Sequence, residues 1–268
     1  MVALMALIDR SATWPWKGDN PVHLPRPEIV PTDFLLPGDP ARVDMAASVL
    51  ADFELVGQNR EFRMGVGSFN GRRIGICSTG IGGASTEIAM VELAALGVKR
   101  IVRIGGMGAL AEDLALGDFV IVEKTPANSA CARPYSPGNE AVSAADEIVS
   151  ALDAKRLALG LAGRRGAVVT ADGYYRAQGR PDHRDGPADP DLVDALAALG
   201  VDGIEMEAEI VLAVGAALGV SAGAILAVHA HRRSDGWLED YEQTQRNLIA
   251  IAAGALADLA FSSPASNP

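Results

Sequence analysis

The chain has 268 residues, of which 49% are hydrophobic, enough to bury a sizeable core in one large domain or two merged ones. Its formal net charge of −11 argues against general nucleic-acid binding, which needs a basic face. The two cysteines, Cys77 and Cys131, belong to no CxxC motif and no secreted-type framework, so we expect a reducing, cytoplasmic environment.

The two ends of the chain differ in composition from its middle. Residues 1–22 carry charged side chains and no clean apolar segment, so they do not resemble a signal peptide. We expect residues 1–21 to be an N-terminal extension and residues 22–261 to form the domain. The tail, residues 262–268, consists of small and polar residues with two prolines and is predicted to be disordered.

The first informative segment is LLPGDPARV, residues 35–43, where an apolar run ends in a turn. Gly38 lets the backbone turn where a Cβ would clash, and the prolines on either side fix it. Taken alone, the segment is consistent with a strand-to-helix turn and a surface arginine, Arg42. Backbone N–H groups and a guanidinium would equally suit an anion site.

Repeated patterns further along predict the fold class. Residues 62–80 alternate in polarity around Asn70-Gly71, which indicates a β-hairpin, and residues 117–125 indicate another strand. An Ala/Leu segment, then Leu-Gly-Val, then a β-branched run predicts a helix, its glycine cap and a buried strand. This pattern covers residues 91–106, 193–207 and 211–230. Alternating helices and apolar strands predict an α/β fold around a largely parallel or mixed sheet.

Two later segments, residues 210–228 and 174–191, stand out by their composition, the first apolar and the second polar. Residues 210–228 are uncharged and long enough to raise the question of a membrane span. We predict a buried helix, a turn and a buried strand instead, because Leu-Gly-Val at residues 218–220 interrupts the segment. Residues 174–191 are predicted to form a long polar loop, and such loops in compact domains are often functional.

The glycine-rich segment TGIGGASTEIAM, residues 79–90, follows a strand and opens a helix, as in dinucleotide-binding proteins. A dinucleotide site would need an acidic residue at the end of the next strand. That strand carries Arg103, Gly105 and Gly106 instead, so the pattern favours an anion site over NAD. The absence of a Walker A lysine motif removes support for nucleoside triphosphate hydrolysis.

The segment GIEMEAEI, residues 203–210, contains Glu205, Glu207 and Glu209, which would share one face of a strand. Three such carboxylates usually mark a solvated face. Here apolar neighbours surround them, and a carboxylate at the end of a buried strand needs a partner, for which sugar hydroxyls are suitable.

Two histidines, His229 and His231, would share a face of a later strand, and His-x-His can bind metal. The sequence offers no obvious third and fourth ligand, so we predict no metal site. It also contains no G-x-S-x-G motif and no cysteine in an evident activating context.

Together these segments resemble the nucleoside phosphorylase-I family, and within it the uridine branch, over about residues 22–260. The matching motifs are VHL, GDPARV, NREF, STGIGGAS, RIGGMGAL, YYRAQGR and IEMEAE, in chain order. The resemblance implies one α/β domain with a central mixed, twisted, partly barrel-like β-sheet flanked by helices. It implies phosphorolysis of uridine or a related pyrimidine nucleoside to free base and (deoxy)ribose 1-phosphate. It also implies phosphate as co-substrate, no metal or organic cofactor, and dimers arranged into hexamers with shared active sites.

The resemblance assigns roles to individual residues. The positions that match its phosphate site are Gly38, Arg42, Arg60, Arg103 and Gly106. The positions that match its ribose site are His23, Glu205, Met206 and Glu207. The positions that match its base site are Tyr174, Gln178, Arg180 and Arg232. Catalytic roles are implied for Arg103, Glu207 and Arg180, while Arg60 and His23 are implied to reach a neighbouring subunit's site.

The chain also departs from the family pattern. Purine-specific relatives have an aspartate where this chain has Ala230, which favours a pyrimidine. The usual phosphate-binding threonine or serine is replaced by Gly106, followed by Met107, and the base loop is altered at Arg176 and Gly179. His229 and His231 replace more usual apolar and amide residues near the base. These changes leave open a specialised nucleoside, a nucleoside hydrolase or a non-catalytic nucleoside-binding paralogue. The arginine cluster argues against the hydrolase, because water needs no such cluster.

Overall fold

The chain is described as a computed structural model covering residues 14–260, so residues 1–13 of the predicted extension and the predicted tail lie outside the described residues. The strands are β1 (Asp33–Pro37), β2 (Ala51–Asn59), β3 (Phe62–Phe69), β4 (Arg72–Cys77), β5 (Arg100–Ala109), β6 (Phe119–Thr125), β7 (Val142–Ser143), β8 (Gly163–Thr170), β9 (Gly203–Glu205), β10 (Ser221–His231) and β11 (Gly236–Trp237). The helices are α1 (Ala41–Met45), α2 (Gly83–Ala95), α3 (Asp146–Ala158), α4 (Pro190–Ala197), α5 (Ala208–Leu218) and α6 (Glu242–Asp258).

The sheet closes on itself over five strands. Strand β10 pairs with β6, β6 with β8, β8 with β9, β9 with β5, and β5 returns to β10. Strands β1, β4, β3 and β2 extend the sheet outward from β5. Parallel and antiparallel pairs are both present, so the predicted mixed, partly barrel-like sheet is confirmed.

Strand β5 changes partner along one of its edges. Its residues 100–104 pair in parallel with β1, whereas Gly108 and Ala109 pair antiparallel with β9. Residues 105–107 have no strand partner on this edge, because β1 has ended and β9 has not begun. Such a divergence opens a crevice at the carboxyl ends of parallel strands, the usual position of a ligand in α/β folds.

The predicted helix–glycine–strand units are confirmed. Gly97, Gly200 and Gly219 follow α2, α4 and α5 with φ of +94°, +71° and +69°, a backbone conformation that favours glycine. Helix α2 packs against α5, and α3 packs against α6. All five residues of β1 are buried, as is typical of a parallel strand covered on both faces.

The uncharged residues 210–228 fall in α5, its glycine cap and β10, as predicted. Within residues 14–260, no helix is both long enough and apolar enough to cross a membrane. The predicted hairpin is also confirmed, because β3 and β4 are joined by Asn70 and Gly71, with φ of +48° and +78°. Two successive positive φ values give the turn whose twist matches that of the flanking strands.

The predicted loop 174–191 contains only one short helical turn, Arg176–Gln178, before α4 begins. Asp189 caps the N-terminus of α4 by accepting a hydrogen bond from the Leu192 amide at 3.0 Å, and Pro190 occupies the first helical position. The loop is therefore anchored where α4 begins, and Tyr174, Gln178 and Arg180 from its first part line the crevice.

Candidate active site

A cavity of about 850 Å³ occupies the crevice beside β5. Its wall is formed by the ends of β1, β5, β9 and β10, together with the first part of the loop 174–191. The predicted site residues that line it are Gly38, Arg42, Arg103, Gly106, Tyr174, Gln178, Arg180, Glu205, Met206 and Glu207. Segments far apart in the sequence thus meet around the part of β5, residues 105–107, that has no strand partner on one edge.

The turn at Gly38 forms one end of the cavity. The Gly80 amide donates to the Gly38 carbonyl at 2.9 Å, which ties this turn to the glycine-rich segment after β4. A Cβ at Gly38 would lie 2.9 Å from the Gly80 carbonyl oxygen, so only glycine allows this approach. The Arg42 guanidinium is held beside β5 by donating to the Ile104 carbonyl at 3.1 Å.

Two arginine guanidinium groups, those of Arg42 and Arg103, lie at this end of the cavity. Burial, with the positive charge of Arg103 acting in the same direction, lowers the pKa of Arg42 to about 10. Arg42 stays protonated at neutral pH, so two guanidinium groups are held in one cavity. Arg103 is buried, and its Nη1 has no hydrogen-bond partner among residues 14–260. An anion bound here would relieve the repulsion and satisfy this donor.

Two buried carboxylates hold Arg103 in place. Its Nε lies 3.1 Å from Glu205 Oε2, and its Nη2 pairs with Glu207. Glu205 also accepts hydrogen bonds from the amides of Glu207 and Ala208, so its oxygens are saturated by the protein. Glu207 accepts a hydrogen bond from the Gly82 amide, which lies just before α2. The N-terminus of α2 therefore points at the Glu207 carboxylate.

Burial raises the pKa of Glu207, while the charge of Arg103 acts in the opposite direction. The prediction that Glu205, Glu207 and Glu209 share one strand face is wrong, because β9 ends at Glu205. Glu207 instead precedes α5, and Glu209 lies in its first turn. Glu209 accepts from the amides of Asn128 and Ser129, so it fixes the loop after β6 and does not line the cavity.

The other end of the cavity is aromatic and cationic. The Arg180 guanidinium carbon lies 4.7 Å from the Tyr174 ring centroid and 5.2 Å from that of Trp237. Arg180 Nε is buried and has no hydrogen-bond partner in the described part of the chain. Arg232 lies behind this end and supports Gln178, since its Nη2 donates to the Gln178 carbonyl at 2.6 Å.

A profile of the phosphorylase superfamily matches residues 34–260. The chain is 33% identical over 235 residues to the uridine phosphorylase of Thermococcus kodakarensis, covering 87% of this chain and 85% of that one. It is 34% identical over 198 residues to the guanosine phosphorylase of Halorubrum lacusprofundi, covering 72% and 76%. The crystal structure of the uridine phosphorylase from Vibrio fischeri matches with a TM-score of 0.75 at 24% identity, covering 86% and 93%.

The chain belongs to the phosphorylase superfamily. The predicted family is confirmed, and with it the predicted class of enzyme, a nucleoside phosphorylase that transfers a pentosyl group. The predicted fold class is confirmed by the solved structure with the same architecture. The relatives' names differ in the base, so membership of the superfamily alone does not fix the substrate.

Three predicted site residues of this phosphorylase do not line its own cavity: Arg232, which lies behind it, and His23 and Arg60. His23 Nδ1 lies 2.7 Å from Glu92 Oε1, and the His23 and Leu24 amides also donate to that carboxylate. Arg60 occupies the turn between β2 and β3 with φ of +53°. The neighbouring Asn59 donates to the His23 carbonyl at 2.8 Å, so His23 and Arg60 share one surface.

Sequence reasoning gave no role to Trp237 and Tyr241, which line the cavity, and it placed His229 near the base only through the family resemblance. The register of β10 against β5 shifts between Val228 and Ala230, which makes His229 the extra residue of a β-bulge. A bulge changes the direction of a side chain, and no sequence pattern marks it. The expectation that His229 and His231 share one strand face therefore did not predict that His229 lines the cavity. Within residues 14–260, no three His, Cys, Asp or Glu side chains form a group that could hold a metal ion.

Proposed function

We propose that the protein catalyses phosphorolysis of uridine or a related pyrimidine nucleoside, giving the free base and ribose or deoxyribose 1-phosphate. The observation that carries the proposal is the polarity of one cavity from end to end. Arg42 and Arg103 lie at the Gly38 end, Glu207 lies between, and Arg180 and Gln178 lie at the aromatic end. Phosphate, ribose and base present complementary groups in the same order.

In the proposed reaction a phosphate oxygen attacks the ribose C1′ while the bond from C1′ to the base nitrogen breaks. The bonding electron pair leaves with the base, which then takes a proton from water. The guanidinium groups of Arg42 and Arg103 orient the phosphate, and the phosphate dianion stabilises the positive charge that develops on the sugar. Preorganised donors of this kind are worth roughly 3–4 kcal/mol each. This chemistry needs no metal ion and no organic cofactor.

The middle of the cavity suits a ribose. Glu207 is buried beside Met206, and both line the cavity. A carboxylate accepts hydrogen bonds from two adjacent sugar hydroxyls, and a thioether packs against the sugar carbons. Because Arg103 pairs with Glu207, the sugar-binding carboxylate and the phosphate-binding guanidinium are held in one fixed geometry.

The aromatic end suits a pyrimidine that leaves as an anion. The Arg180 guanidinium would stabilise negative charge on the departing base, and Gln178 offers both a donor and an acceptor. Ala230 lines this cavity at the position where the resemblance places an acid in purine-specific relatives. The similarity to a guanosine phosphorylase makes a purine nucleoside the second substrate to test.

The first experiment is a substrate panel. The protein is incubated with uridine, thymidine, inosine, guanosine and adenosine, each with and without inorganic phosphate. Free base and sugar phosphate are then followed by chromatography. Uracil and ribose 1-phosphate that appear only with phosphate support the proposal. Base release without phosphate identifies a hydrolase. If guanosine is the one nucleoside of the panel that reacts, the substrate is a purine nucleoside.

We further propose a homo-oligomer, dimers assembled into a hexamer, in which His23 and Arg60 complete the neighbouring subunit's site. Their position together on a surface outside the chain's own cavity supports this arrangement. The test mixes two inactive variants, Arg60→Ala and Arg103→Ala. Random pairing should restore about one quarter of wild-type activity, because half the dimers are mixed and each has one intact site. No restoration in proven mixed dimers contradicts a shared site.

A further inference from the structure

His229 occupies the space that a side chain at residue 106 would need. A Cβ built on Gly106 would overlap the His229 ring, with Nδ1 as the nearest atom. The imidazole therefore reaches the wall of β5 that lies between Arg103 and the end of the strand. His229 lines the same cavity as Arg42 and Arg103, and its Nδ1 has no hydrogen-bond partner among residues 14–260.

Contacts from the other side fix the ring. The Gln245 side-chain amide nitrogen lies 2.8 Å from His229 Nε2, and it donates to Nε2 in the tautomer whose proton is on Nδ1. Tyr241 stacks on the ring with centroids 5.3 Å apart and an interplanar angle of 27°. A neutral imidazole that accepts at Nε2 carries its proton on Nδ1, the nitrogen that lies next to Gly106 in the cavity wall.

The surroundings keep this ring neutral. Burial lowers the pKa of His229 to about 4, and the positive charge of Arg42 acts in the same direction. The charged or titratable groups around the ring are Arg42 from α1 and Tyr241 before α6, while Gly106 of β5 and Gln245 of α6 carry no charge. A third cation here would add to the repulsion between Arg42 and Arg103, whereas a neutral N–H adds a donor without it.

We propose that His229 is a phosphate-binding residue of this enzyme, donating a hydrogen bond from Nδ1–H to the phosphate in place of a side chain at residue 106. The proposal rests on the proposed phosphorolysis, because it names a further ligand of that reaction's anionic substrate. Gly106 and His229 are then a matched pair. The glycine provides the space, and the bulge of β10 fills it with a donor.

The test measures phosphate binding separately from turnover. Inorganic phosphate is titrated calorimetrically into the wild type, His229→Ala, His229→Asn and the control His231→Ala, and phosphate and nucleoside KM values are measured in parallel. His231 lies on the same strand but outside the cavity lining. One hydrogen bond to a charged group corresponds to roughly a 10- to 100-fold loss of phosphate affinity in His229→Ala. Nucleoside KM should change by less than about threefold.

Two further variants separate a donor role from simple packing. The Asn Nδ2 group can take the place of His Nδ1, so His229→Asn should keep phosphate affinity within about fivefold of wild type. Gly106→Thr alone should impair phosphate binding, because its side chain would overlap the ring. The double variant Gly106→Thr/His229→Ala should bind phosphate more tightly than either single variant, since a hydroxyl then fills the vacated space.

The pH dependence gives an independent readout. The ratio of phosphate affinities of wild type and His229→Ala should stay constant from about pH 5.5 to about pH 8.5, because a neutral imidazole does not titrate there. Unchanged phosphate affinity in a folded His229→Ala protein overturns the proposal and leaves the proposed function intact. Equal losses for phosphate and nucleoside, with no rescue by asparagine, indicate packing alone and also overturn it. A wild-type protein that binds no phosphate removes the proposed function itself.

Discussion

Removing the positive charge of Arg103 should destabilise the protein as well as inactivate it. Arg103, Glu205 and Glu207 are 4%, 3% and 4% exposed, so the substitution Arg103→Met leaves two carboxylates buried without their cation. Breaking a buried ion pair by removing one partner costs about 3–5 kcal/mol. That is a large share of the roughly 5–15 kcal/mol by which a typical domain is stable.

The loss of stability in Arg103→Met should also depend on pH. Burial already raises the pKa of Glu207, and without Arg103 the pKa rises further. A folded-state pKa above the unfolded value of about 4.3 means that the native state holds more protons, so stability falls as pH increases through this window. The free-energy difference between Arg103→Met and wild type should therefore be larger at about pH 7.5 than at about pH 5.5.

The assay is urea unfolding at one fixed protein concentration, because assembly would otherwise shift the apparent stability. Arg180→Met is the matched control, since Arg180 lines the same cavity and no ion pair of it is found among residues 14–260. We expect the control to lose less than about 1 kcal/mol, and Glu207→Gln added to Arg103→Met to recover part of the loss. A loss below about 1 kcal/mol in Arg103→Met, or a loss that shrinks as pH rises, refutes the reasoning.

Two further predictions concern the ends of the cavity. Arg180→Ala should lower kcat/KM for the pyrimidine nucleoside by about 100- to 1,000-fold. Phosphate affinity should stay within about twofold, and equal loss of both, measured by steady-state kinetics and calorimetry, contradicts the base role. Gly38→Ala should displace the turn, because its Cβ would lie 2.9 Å from the Gly80 carbonyl oxygen. We expect at least about tenfold weaker phosphate binding, and an unchanged titration contradicts this effect.

Much of the fold follows from local sequence. Gly97 and Gly219 end their helices in the left-handed region, and Asn70-Gly71 makes the hairpin turn, because few other residues adopt those angles cheaply. The apolar runs behind these glycines become buried strands. These are nearest-neighbour effects, so a reader of the sequence can place them. The motif order also led to the phosphorylase superfamily and to most residues that line the cavity.

Local sequence does not determine the closure of the barrel or the partner change of β5. These depend on pairing between segments far apart in the chain, such as Asp33 with Arg100 and Gly108 with Ile204. The same holds for the carboxylates. Alternation predicted one strand face for Glu205 and Glu209, yet the strand stops at Glu205 where the chain turns into α5. A three-residue strand is too short for its period to be distinguished from the start of a helix.

The contact between Gly106 and His229 separates what the sequence determines from what the tertiary structure determines. The sequence by itself determined that residue 106 has no side chain, and that a histidine lies in the last long strand. Only the tertiary structure decided that a bulge aims that histidine into the space the glycine leaves, because a bulge is set by pairing with β5 and not by the bulged residue. The space left by the missing side chain at residue 106 is therefore occupied, in the folded protein, by the imidazole ring of His229.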